Sequence, residues 1–180
     1  MNMNTFVQRV LHPPVNGPGA IILLRIMAGG IFLSEGILKF VYPIQGVGRF
    51  TKIGIPAPQL MATLIGGLEI IGGILLIVGL FTSLISIPFI IEMIVAFLST
   101  KIALYLGTSP LPLPSSPPTV GMWAVLHESR SEYGQIMTVI FLLIAGPGRW
   151  SLDALLERRR KPDARQVSVS VPGTLAERAE

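Results

Sequence analysis

The chain has 180 residues, of which 51% are hydrophobic and 13% charged, against about 25% charged in a soluble domain. With a mean hydropathy of +0.66, that deficit points to lipid as the solvent and excludes an ordinary water-soluble domain. The absence of cysteine excludes disulfides and thiolate metal sites. A net charge of +4 does not imply nucleic acid, because the basic residues gather beside apolar segments, as membrane topology signals do.

Residues 1–19 are polar, with Pro13, Pro14, Gly17 and Pro18, and lack the charged start and compact apolar core of a cleavable signal. They are predicted to be a retained cytoplasmic tail. The first apolar segment, 20–40, is long enough to cross a hydrocarbon core of roughly 30 Å. Residues 41–58 form a loop with Pro43, Pro56, Pro58, Arg49 and Lys52. A second span is predicted at 59–80, with Glu69 as its one formal charge. The turn at Phe81, Thr82 and Ser83 leads into a third, 84–106, and so short a connection makes these two helices antiparallel neighbours. Prolines at 110, 112, 114, 117 and 118 then impose extended backbone.

The fourth span, 130–149, has a cleanly apolar part of only residues 136–145. Its alternative is a re-entrant half-helix; Tyr133 and Trp150, placed as interfacial aromatics, favour a full crossing. Ser151 can then cap a short helix with Leu152, Leu155 and Leu156 on one face, suited to lying along the membrane surface. From residue 162 the chain reads as disordered. The fold expected is therefore all-α. It is an integral membrane four-helix bundle (20–150) with a short C-terminal amphipathic interfacial helix in a basic cytoplasmic tail (151–180). Arg149, Arg158, Arg159, Arg160, Lys161 and Arg165 follow the fourth span, so both termini are expected on the cytoplasmic side of a bacterial inner membrane.

The informative residues are the charges within the spans. Each costs several kcal/mol against lipid and should face the bundle interior. Arg25, Phe32, Gly36 and Lys39 share a stripe on the first helix, with Glu35 one step round it. Ala62, Gly66, Glu69 and Gly73 share one on the second, where small residues admit close helix packing. Pro88, Glu92, Ala96 and Ser99 share one on the third. At 1.5 Å per residue, Arg25, Glu92 and Glu69 lie roughly 8, 12 and 16 Å from the cytoplasmic face. The expected grouping is a buried cluster of Arg25, Glu69 and Glu92, with an outer cluster of Glu35, Lys39 and Lys101. The plainer alternatives are snorkelling for Arg25, Lys39 and Lys101, an i,i+4 pair of Glu35 with Lys39, and structural pairing of Glu69 and Glu92. His12 and His127 lie outside the apolar runs, which argues against haem, and no metal-spaced cluster, nucleotide fingerprint or Ser/His/Asp arrangement appears. The stretch 127–133 reads as a solvated helix start in preference to a surface site.

Several stretches together resemble the DoxX family of small bacterial membrane proteins. They are Leu24-Arg25, Ser34 to Phe40, Gly48-Arg49-Phe50, Lys52 to Pro58, Glu69 to Gly73, Gly79 to Thr82, Ser99-Thr100-Lys101, His127-Glu128 and Gly146 to Asp153. The resemblance spans residues 20–155 and implies a four-helix membrane fold. It also implies association with membrane redox systems, among them a quinone-reducing thiosulfate oxidoreductase and an oxidative-stress complex. Glu35 stands where the wider family often has His, and 108–119 is an insertion relative to short members. The leading expectation is an accessory protein or subunit of a quinone-linked redox system, with other redox subunits and the lipid bilayer as partners. A transporter or lipid-binding protein, and an assembly scaffold recruiting partners through its glycine faces, are the alternatives.

Overall fold

The computed structural model describes residues 7–8, 10–11 and 13–160. The polar stretch after residue 160 and most of the first twelve residues lie outside the described residues, and with them the expectation of a disordered C-terminal tail. The described chain is helical, with no strand. Its elements are α1 (Ile21–Val41), α2 (Val47–Lys52), α3 (Pro58–Val78), α4 (Thr82–Leu106), α5 (Gly121–Glu128), α6 (Arg130–Ala145) and α7 (Leu152–Arg160).

Three of these, α1, α3 and α4, are long and apolar enough to cross a membrane. Their 21, 21 and 25 residues correspond to about 30 Å or more of helix, the thickness of the hydrocarbon core. The expected fourth segment is helical for only 16 residues, or about 24 Å. It stops four residues before the predicted 149. The stop is local. Gly146 takes φ +76, and a Cβ there would sit 2.5 Å from the Pro14 carbonyl oxygen. Short α5 precedes α6, and Ser129 interrupts the pair with φ −94 and ψ 7.

The other helix ends also follow from local chemistry. Pro58 opens α3, where its missing N–H costs nothing. Gly79, at φ +72, closes it, and the Leu80 N–H returns to the Leu75 carbonyl at 2.9 Å, a left-handed C-terminal cap. Phe81 holds φ +52 without being glycine. That conformation is secured from outside, because Asp153 accepts hydrogen bonds from the N–H groups of Phe81 (3.0 Å) and Thr82 (3.2 Å). A side chain 71 residues away thus caps the start of α4. Ser151 accepts from the Ala154 N–H at 3.1 Å and caps α7, as expected.

Helices α1 and α3 run antiparallel with their backbones in close contact. A Cβ on Gly73 would lie 2.7 Å from the Gly29 carbonyl oxygen, and one on Gly36 2.8 Å from that of Gly66. Gly66 and Gly73, expected as packing positions with Ala62, therefore face α1 within the same chain, and Ala62 is buried too. Phe32 of α1 stacks on Phe89 of α4 with ring centroids 3.7 Å apart. Around them Ile21, Ala28, Leu76, Val139 and Leu142 form the core. Large apolar side chains such as Leu23, Ile71 and Ile91 stay exposed on the outer faces, where only lipid makes exposure favourable. Two ends can be distinguished. The Arg25 end holds the start of α1, the α3–α4 turn and residues 146–151; the loop end holds residues 42–57 and 107–120.

Candidate functional site

Arg25, one turn into α1, is 2% exposed. Its guanidinium donates to the carbonyls of Leu76 (3.0 Å), Ile77 (2.7 Å), Pro147 (3.0 Å) and Trp150 (2.8 Å). The first two are carbonyls in the last turn of α3, the negative end of that helix, and that of Leu76 also accepts from the Gly79 N–H at 3.1 Å. Gly79 leaves the room, since a Cβ there would be 2.5 Å from the guanidinium carbon. Arg25 thus ties three segments together at one end. It does not join Glu69 and Glu92, as the depth estimate led one to expect. Four nearby carbonyls take four of its five N–H donors and hold it at this end. Nor does it snorkel.

Glu69 pairs instead with Lys39. The Lys39 Nζ donates to Glu69 Oε1 at 2.7 Å and lies 2.6 Å from Oε2, with the two side chains 12% and 3% exposed. The register of the close-packed helices explains this. Side chains lean toward the N-terminus of their own helix, so on antiparallel helices Lys39 and Glu69 lean toward each other and meet near Gly36. Lys39 is therefore not the i,i+4 partner of Glu35, and the expected grouping of Glu35, Lys39 and Lys101 is divided. Glu92, on α4, comes within hydrogen-bonding reach of the Glu69 carboxyl. Its Oε2 is buried without a hydrogen-bond partner.

Lys101, on α4, pairs with Glu132 of α6 at 2.7 Å and donates to the Glu128 carbonyl at 2.9 Å. Sequence reasoning passed over both acidic residues as part of a solvated helix start. A usable signal was present. Glu128, Glu132 and Gln135 recur at helical spacing on one face, which turns inward. Gln135 is 3% exposed and donates to the Ala28 carbonyl at 3.3 Å, while its own Oε1 is buried without a partner.

These groups line one cavity of about 660 Å³ between α1, α3, α4 and α6, with Arg49 and Phe50 of α2 at its rim. Glu35, Lys39, Glu69, Glu92, Lys101 and Glu132 all face it, among Phe32, Leu68, Met93 and other apolar side chains. Its size falls within the range of small-molecule sites, and so does its make-up of an apolar wall with a few convergent polar groups. Ile31, Ile91 and Val95 both line it and stay exposed, so it opens sideways onto the acyl-facing surface. Among the described residues no group of His, Asp or Glu is arranged to hold a metal ion.

Comparison with known proteins identifies the family. The DoxX family model matches residues 20–102, from the start of α1 into the last turns of α4. A protein of Mycobacterium tuberculosis named "Uncharacterized membrane protein Rv3486" is 41% identical over 157 residues, covering 84% of this chain and 88% of the relative. The chain belongs to the DoxX family. A second relative, from Bacillus subtilis, is named "Putative oxidoreductase CatD"; it is 34% identical over 140 residues, 78% of this chain and 89% of its own length. A Haemophilus influenzae protein is 34% identical over 87 residues, 48% of this chain and 62% of that one. No solved structure matches. The DoxX match includes Arg25, Glu35, Lys39, Glu69, Glu92 and Lys101, whereas Glu128, Glu132 and Gln135 lie beyond it.

Proposed function

We propose that this DoxX protein is an accessory subunit of a quinone-linked redox system in a bacterial inner membrane. In this reading α6, extended by α5, completes a four-helix bundle. The basic residues after residue 148 hold both termini on the cytoplasmic side, with α7 along the membrane surface. The observation that carries the functional part is the cavity that joins the Lys39–Glu69–Glu92 group to the lipid-facing surface.

A quinone ring fits what lines that cavity. Its carbonyl oxygens need donors, which Lys39 and a protonated carboxyl supply. Its apolar tail needs a sideways opening, which Ile31, Ile91 and Val95 border. When bound, a quinone accepts two electrons and two protons to become the quinol. The electrons come from a partner subunit with a redox centre. The chain's own residues would orient the head group and relay protons: Lys39, paired with Glu69, would hold a carbonyl oxygen, and the Glu69 and Glu92 carboxyls would pass on both protons in turn, each replaced from water. The name of the Bacillus subtilis relative agrees with a redox role.

The test is quinone-dependent electron transfer in membranes carrying Glu69→Gln or Glu92→Gln. Each substitution keeps the shape and removes the titratable proton, so rates should fall by a factor on the order of 10². Unchanged rates would remove the redox reading. They would leave the second reading, which the same lateral opening favours: a protein that binds an amphipathic molecule without electron transfer. The scaffold reading loses its footing, because Gly66 and Gly73 are already occupied by α1.

A further inference from the structure

Beside the main cavity, at the loop end, lies a second one of about 390 Å³. One wall is the proline-rich segment, through Ser109, Leu111, Pro112, Leu113 and Pro114. Gln45, Arg49, Thr100, Lys101 and Glu128 line both cavities and so form a neck between them. The neck is polar on every side. Its charged members are Arg49, Lys101 and Glu128, with Lys52 in the outer chamber.

The opposite end is built differently. Toward the Arg25 end the main cavity's lining stops at Ile31, Phe32, Pro88 and Gln135. There the stacked rings of Phe32 and Phe89 and the core residues Ala28, Leu76, Val139 and Leu142, each 0% exposed, fill the interior. Past them, Arg25 joins α1, α3 and the 147–150 segment through four carbonyls. A packed layer about two turns thick separates the carboxyl pair from that face, and the buried hydroxyls within it, Ser83, Ser86 and Thr138, donate to the carbonyls of Leu142, Thr82 and Gly134. Thr82, Ser83 and Ser86 are each 0% exposed within it, so it is tight packing, and not a lack of polar groups, that closes this end.

We infer that the Glu69–Glu92 pair communicates with water on one side of the membrane only, the side bearing residues 42–57 and 107–120, through the Arg49–Lys101–Glu128 neck. This rests on the proposed function only in supposing that the pair handles protons. The sidedness follows from the packing alone. An amphipathic ligand thus comes in sideways from the bilayer, and protons come from the loop end. In that division Lys101 is a positioning residue: held by Glu132 and the Glu128 carbonyl, it keeps the neck polar and of fixed width. Glu35, exposed at the cavity's side, is the remaining acidic group facing the pair.

The absence of cysteine makes the test clean, because any introduced cysteine is the chain's one thiol. Ser99→Cys and Ala96→Cys place a thiol in the main cavity, Lys52→Cys marks the loop end and Leu152→Cys the Arg25 end. Sealed vesicles of known orientation, carrying the full chain, would be exposed to a charged, membrane-impermeant thiol reagent from either side. Ser99→Cys and Ala96→Cys should react from the side that labels Lys52→Cys and from that side only, and Lys101→Met should change their labelling rate while Lys52→Cys labels as before. Reaction from the Leu152 side, from both sides, or from neither would overturn the inference. Labelling requires no electron transfer, so it can succeed where the quinone reading fails, and the reverse.

Discussion

At the residue scale, the ion pair of Lys39 with Glu69 decides how the cavity is charged. Both groups are nearly buried, and an ion pair so placed recovers its desolvation cost only while both partners are present. Lys39→Met should therefore destabilise the folded protein by about 3–5 kcal/mol, by leaving a carboxylate uncompensated. The double substitution Lys39→Met with Glu69→Leu should recover most of that loss, since neither charge then needs a partner. Thermal unfolding of the solubilised single and double variants measures the difference. A single variant as stable as the parent would show that the pair is not buried as described. The residue types were legible in the sequence and their partners were not. Arg25, Lys39, Glu69, Glu92 and Lys101 announce themselves as charges in apolar segments. Which of them meet depends on helix register and on free backbone carbonyls, and a one-dimensional pattern carries neither.

At the element scale, glycine faces set that register. Gly29 and Gly36 on α1 meet Gly73 and Gly66 on α3 backbone to backbone, so a methyl group has nowhere to go. Gly67 lies one step round α3 with nothing within 4 Å of its would-be Cβ. Gly73→Ala should cost about 1–3 kcal/mol through overpacking, whereas Gly67→Ala should gain up to about 1 kcal/mol from helix propensity. Opposite signs at two glycines of one helix, read by thermal unfolding, are the expected outcome; equal effects would contradict the α1–α3 register. Helices α1, α3 and α4 lie close to the segments read from hydropathy, because length and apolar content fix a spanning helix. The last apolar segment was harder to read for a physical reason. Its outer half is a polar face turned toward the cavity, so hydropathy falls where burial continues. The same inversion hid Glu132 and Gln135 among residues that look solvated.

At the scale of the whole molecule, the two ends are unlike. One end is closed by Arg25, by Asp153 holding the α3–α4 turn, and by packed aromatic rings. The other is open, polar and walled by a proline-rich segment. That asymmetry was not legible beforehand, because Arg25 and Glu92 fall at similar computed depths and only the packed structure separates them. It gives this chain a cavity bordered by exposed apolar side chains at its side and by polar ones toward one end, an arrangement suited to the proton-linked handling of an amphipathic molecule proposed above. The most direct measurement is photoaffinity labelling of the full chain in membranes with an azido-quinone, followed by mapping of the modified residues. Binding in the cavity predicts labels on the cavity-lining residues of α3 and α4 near Leu68 and Met93, displaced by excess quinone and lost in Lys39→Met with Glu69→Leu. Labels confined to the outer apolar faces, or undiminished by competing quinone, would contradict it.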